Sequence, residues 1–309
     1  MGIFSVISLL GGLSIFLYGM DIMGDGLKSS SSKALKSMLE KVTHSAVLGM
    51  LTGTLVTSVI QSSTATIVLT VGLLSAGILN LRQSISIVMG ANIGTTVTAQ
   101  IIRLMDINSS GAAFIEIFKP STLAPLAVLC GIIFLKFVKS QKTKGIGMML
   151  MGFGILFTGL MGMTEAVSPL SESQAFTDVL QKFSYVPILG ILTGLITTFI
   201  VQSSSAVIGM VQALSSTGAF TFQTVYPLII GINLGTCITT AIVCSIGTDK
   251  DAKRTGIAHI LFNCIGTVLF MAAIPLLHHA GALNFIWGKP MNSGGIANFT
   301  TIFNLVTAL

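Results

Sequence analysis

Apolar stretches of about 17 to 25 residues, the length a bilayer asks of a helix, recur along this chain at residues 3–20, 122–138, 145–163, 224–246 and 256–277. Only short polar gaps separate them. In hydrocarbon every backbone polar group has to be paired within the protein, which restricts spanning structures to helices and closed barrels. Stretches of this length read as helices. Of the 309 residues 52% are hydrophobic and 8% are charged, with a mean hydropathy of +0.91, whereas soluble domains carry roughly 25% charged residues. The chain therefore reads as an all-α integral membrane protein, residues 1–309 forming a single transmembrane domain. The net charge of +6 does not point to nucleic acid, because the basic residues sit at the ends of apolar segments with no aromatic side chains interleaved. The first stretch lacks a basic leader and a small-residue cleavage site, so it reads as a retained helix.

Within this frame lies an internal repeat. Residues 48–101 and 189–242 align without a gap at a shift of 141, with 20 of 54 positions identical, and the identities concentrate in Gly, Ser, Thr, Gln and Asn. Chance similarity between apolar segments would have matched Leu and Val instead. Each copy holds an apolar arm, a polar Gln-Ser-Ser break, a second arm and then a full helix carrying Asn, Gly and Thr in its middle. The arms are short for complete spans and suit a re-entrant hairpin with its tip at membrane depth. The repeat cores run over 44–104 and 186–247. Three spans separate the first hairpin from the second, an odd number, so the second copy is expected to be inverted. Charge sorts the same way: twelve Lys and Arg fall on the face carrying loops 25–44, 80–83, 136–144 and 248–255, and four on the other. The positive-inside rule then assigns the first face to the cytoplasm and the N-terminus to the outside.

The breaks are the candidate site. In Gln61-Ser62-Ser63-Thr64 and Gln202-Ser203-Ser204-Ser205 hydroxyl residues stand where a helix begins, and a helix start offers unpaired N–H groups and partial positive charge to an anion. Asn92, Thr95 and Thr98, matched by Asn233, Thr236 and Thr239, add neutral oxygens of the kind that hold a hard monovalent cation in unwound transporter helices. Gly94 and Gly235 are expected to let the backbone open there, whereas Gly49, Gly53, Gly190 and Gly194 read as close-packing positions. No Asp, Glu, Lys or Arg lies mid-way along the repeated segments, Asp21 and Glu165 falling at segment ends. That disfavours proton coupling, which His259 keeps open. No carboxylate pair, metal cluster or Ser/His/Asp set lies near the breaks, so the chain is not read as an enzyme and no cofactor or metal beyond sodium is expected.

At these residues the sequence resembles the type II sodium/phosphate cotransporter family, whose repeated signature is a Gln-Ser-Ser-Ser break followed about 30 residues later by an Asn-Ile-Gly-Thr-rich helix. The segment Arg254-Thr-Gly-Ile-Ala-His259-Ile-Leu-Phe262-Asn263 is similar to the element that follows in that family. The resemblance implies a secondary active transporter in the plasma membrane for sodium-coupled uptake of inorganic phosphate, with sodium, phosphate and lipid as its partners. It leaves a homo-oligomer open. Carried over by position, it implies sodium ligands at Gln202, Ser203, Thr236 and Thr239, with Gln61, Thr95 and Thr98 as repeat-related partners. Phosphate ligands are implied at Ser62, Ser63, Thr64, Ser203, Ser204 and Ser205, with Asn92 and Asn233 beside them. Thr64 replaces a Ser of the first break, Cys237 and Ile238 interrupt the second Thr run, and Thr300 stands where the family has a His. A carrier of another small anion and an ion channel are the alternatives.

Overall fold

A computed structural model describes residues 3–40 (side chains to 30), 45–106, 119–169, 178, 182, 186–245 and 250–308. The described elements are helices: α1 (Ile3–Glu40), α2 (Ala46–Ile60), α3 (Ser63–Ser75), α4 (Leu81–Ile102, extended by a 3-10 turn Arg103–Asp106), α5 (Pro120–Phe137), α6 (Gln141–Val167), α7 (Pro187–Val201), α8 (Ser204–Ser215), α9 (Phe222–Ser245), α10 (Lys250–His279) and α11 (Ser293–Ala308). Six segments, in α1, α4, α5, α6, α9 and α10, are long and apolar enough to cross a membrane. By length and composition this is a multi-pass membrane protein. The outer edges of the expected repeat cores, residue 44 and residues 246–247, lie outside the described residues.

Local signals account for the boundaries. Pro120 and Pro187 open α5 and α7, where a missing N–H is harmless, and Asn80 closes a reciprocal capping box with Gln83 at the start of α4. Gly77 (φ 72°) and Gly218 (φ 74°) turn the chain after α3 and α8, a left-handed conformation that glycine adopts without a Cβ penalty.

Close helix packing comes from glycine. Gly12, Gly19 and Gly26 of α1 face Gly159, Gly152 and Gly145 of α6, each abutting backbone of the opposing helix. The seven-residue spacing on both helices keeps one seam in register, and small residues let backbones approach where lipid supplies no hydrophobic drive. This seam also carries α1 beyond residue 25, where a loop is expected from sequence and the structure has helix to Glu40. In the repeats, Gly49, Gly53, Gly190 and Gly194 hold α2 on α4 and α7 on α9, as expected. Gly94 and Gly235 do not open the backbone: α4 and α9 run through them as continuous helix. A Cβ on either would lie 2.6 Å from a threonine Cβ, Thr57 or Thr198, so these glycines serve close approach instead.

Direction follows from the same contacts. α2 lies alongside α4 in the same sense, Gly49 by Ser86 and Gly94 by Thr57, and α7 lies alongside α9 likewise, Gly190 by Pro227 and Gly235 by Thr198. The start of α4 meets α10 through Ser84 and Thr255, whose hydroxyls are 3.1 Å apart. Its end meets the start of α11, where Asp106 accepts from the N–H groups of Ser293 and Gly294. α9 begins beside residues 289–291, Phe222 N–H donating to Lys289, and ends beside the start of α10, with Cys244 against Gly256. α9 thus runs opposite to α4. Around its first half Phe222, Tyr226, Trp287, Phe299 and Phe270 form a chain of ring contacts 5.6 to 6.1 Å apart.

Candidate functional site

The two breaks have nearly the same backbone. Gln61 ends α2 at φ 58°, ψ 20°, and Gln202 ends α7 at φ 59°, ψ 17°; among the described residues these are the two with positive φ that are not glycine. The next residue is extended in both, Ser62 at φ −146° and Ser203 at φ −146°. Each serine side chain caps the following helix, Ser62 Oγ accepting from Ala65 N–H at 3.2 Å and Ser203 Oγ from Ala206 N–H at 3.3 Å. A left-handed residue followed by an extended one sets the carbonyl end of one helix beside the N–H end of the next. The first end favours a cation and the second an anion. A left-handed β-carbon residue costs about 1–2 kcal/mol, and each glutamine holds its turn by donating from its amide to a carbonyl three residues back, Ser58 or Phe199.

Both breaks line one cavity of about 460 Å³. Gln61, Ser62, Ser63 and Thr64 enter its wall from the first copy, and Gln202, Ser203, Ser204, Ser205 and Thr236 from the second. The remaining sequence-predicted residues do not line it. Thr98 donates to Gln61 Oε1 at 2.7 Å, Thr95 to Ala91 O at 3.2 Å and Asn233 to Ile229 O at 2.9 Å. Thr239 lies three residues beyond Thr236 and is half-buried. Asn92 is buried against α10, its Oδ1 3.1 Å from His259 Nε2. Facing that amide oxygen, which accepts, Nε2 is the ring nitrogen placed to donate. His259→Ala is expected to destabilise the protein by about 1–3 kcal/mol, because it leaves a buried acceptor unpaired. His259→Gln, which can put a donor in the same place, should lose less; thermal unfolding of both variants in detergent checks this.

Sequence reasoning missed the α1 side of the cavity. Asp21, Asp25 and Lys28 line it too, although Asp21 was expected at a segment end; α1 continues well beyond it and carries it past the breaks. The spacing 21, 25, 28 follows one helical face, so a shared wall was legible once α1 was known to be this long. The two copies also differ. Thr57 donates to Thr66 at 2.9 Å, but the matching position is Val207, and Thr198 Oγ1 is buried without a partner. Gln61 is half-buried, whereas Gln202 is exposed.

The model of the Na+/Pi-cotransporter family matches residues 15–165 and again residues 160–306. The chain belongs to that family. The double match falls on the two halves that carry the two breaks. Among relatives, YqeW of Bacillus subtilis, an uncharacterized protein, is 29% identical over 95% of this chain and 89% of its own length. YjbB of Escherichia coli K12, named for inorganic phosphate export, is 24% identical over 88% of this chain and 48% of its own length, so this chain spans about half of that relative. Human sodium-dependent phosphate transport protein 2B is 34% identical over 34% of this chain and 16% of its own. No solved structure matches the chain.

Proposed function

We propose that this protein is a secondary active transporter that moves inorganic phosphate together with sodium by alternating access, through a site made by the two breaks. The observation that carries this reading is that both Gln-Ser-Ser breaks line one cavity. A phosphate there would be held by hydroxyls and N–H groups at the starts of α3 and α8: Ser62, Ser63 and Thr64 with Ser203, Ser204 and Ser205. Sodium would sit on the oxygens of Gln202, Ser203, Thr236 and Thr239 in the second copy, and on Gln61, Thr95 and Thr98 in the first. Asn92 and Asn233, buried in α4 and α9, would contribute through the helices they brace. Opposite charges in one cavity favour joint occupancy, which biases the state in which both can leave on the other side.

The two cores, 44–104 and 186–247, are read as inverted repeats with α2–α3 and α7–α8 as re-entrant hairpins. Support comes from the opposed directions of α4 and α9 and from the sorting of Lys and Arg between the loops. By the positive-inside rule that sorting supports an N-terminus on the outside, and a plasma membrane is the location expected from the resemblance. Uptake is the direction expected for sodium-driven entry; the relatives named for phosphate export favour outward movement as a second reading. Proteoliposomes loaded with either ion decide both points. Saturable entry of radiolabelled phosphate driven by sodium directed inward, and not by potassium, supports the first reading. Phosphate efflux that ignores sodium supports the second, and equal leakage on any gradient would indicate a channel.

A further inference from the structure

The cavity wall contains three charged side chains, all from α1, the helix that lies outside both repeat cores. Lys28 Nζ is 3.2 Å from Asp25 Oδ1, so those two offset each other. Asp21, one turn before Asp25 on the same face, makes no ion pair or hydrogen bond among the described residues. α1 passes across both breaks: the backbone of Gly24 abuts the Ile60 carbonyl and Gln61 at the first, and Phe16 packs on Gly209 in the helix that starts at the second. Asp21 falls between these two contacts. The result is a cavity whose N–H and hydroxyl donors suit an anion but whose one uncompensated charge is negative.

We propose that Asp21 is the residue that makes anion binding in this cavity conditional on sodium. The inference rests on the reading of the cavity as a phosphate and sodium site. Alone, a phosphate meets a carboxylate of its own sign; with a monovalent cation present, the cation is attracted by both and repulsion becomes bridging. Linkage then requires that phosphate raise sodium affinity by the same factor as sodium raises phosphate affinity. A second observation points to a cation on the side of the second break: Thr198 Oγ1, one turn before Gln202, is buried and unpartnered, while its first-copy counterpart is tied to Thr66.

The experiment compares wild type, Asp21→Asn and Asp21→Glu in proteoliposomes, reading phosphate uptake against sodium concentration. Asp21→Asn is expected to raise the half-saturating sodium concentration about tenfold, within the range of ordinary coupling between sites, and Asp21→Glu to stay near wild type. A sodium curve for Asp21→Asn that superposes on wild type overturns the proposal. The sodium-induced rise in melting temperature of the purified protein gives a readout without transport. It should be present in wild type and diminished in Asp21→Asn at equal sodium; an equal rise in both, or none in wild type, also overturns it. If wild type shows the sodium shift but no sodium-dependent phosphate uptake, the phosphate reading fails, and the shift in Asp21→Asn still decides the role of the carboxylate.

Discussion

Gly231→Val is expected to yield no folded protein. Gly231 of α9 lies against the carbonyl of Ile191 in α7, and a Cβ there would overlap that oxygen and its carbon. The obstacle is backbone on both sides, so no rotamer change relieves it. Its first-copy counterpart, Gly90, meets the Met50 carbonyl in the same way. Separating α7 from α9 would also part Gly194 from Leu228 and Gly235 from Thr198, dismantling the whole wall of the second break. Overpacking of an ordinary core costs about 1–3 kcal/mol, and a clash between two backbones belongs at or above that upper end. Gel filtration of detergent-solubilised protein checks it: Gly231→Val should appear only as aggregate. Gly72→Val, at an exposed position with nothing within 4 Å of the new Cβ, should elute as wild type.

Gln202→Gly is expected to fold normally and to lose sodium-driven phosphate uptake by about 10- to 100-fold, the scale of one hydrogen bond or ligand contact to a charged group. Gln202 occupies the left-handed conformation that ends α7, and glycine takes that conformation more readily than glutamine. The substitution therefore keeps the turn and removes only the amide. Alanine would mix the two effects, since its β-carbon keeps the strain while the stabilising side-chain hydrogen bond is lost. Uptake against sodium concentration, together with a melting curve, separates them: an unchanged melting temperature with lost uptake assigns the amide to the site. Retained uptake in Gln202→Gly would remove Gln202 from the ligand set.

The breaks were legible because they are polar words repeated inside apolar text. Gln61-Ser62 and Gln202-Ser203 recur at one shift, and a position identical for reasons other than hydrophobicity has few bland explanations. The helix boundaries at Pro187, Asn80 and Gly218 follow from local chemistry. Gly94 and Gly235 were misread because glycine beside Asn and Thr fits both an opened helix and a close crossing. Only the partner helix, through Thr57 and Thr198, tells them apart. The seam of Gly12, Gly19 and Gly26 with Gly145, Gly152 and Gly159 was present as two seven-residue spacings, yet nothing in one segment names the other as its partner. Asp21 escaped for a related reason. A charge near the end of an apolar stretch reads as interfacial until the length of α1 and its path across both breaks are known.

The central question is whether the two breaks form one site for phosphate and sodium. Equilibrium binding of radiolabelled phosphate to the purified protein, in sodium and in potassium, tests this for wild type and for Ser63→Ala combined with Ser204→Ala. Those two serines line the cavity from opposite copies and are not the capping residues, so both helix starts keep their caps. Saturable binding that needs sodium and is strongly weakened in the double variant is the predicted result. Binding that is equal in potassium, or unchanged when both serines are replaced, would contradict it.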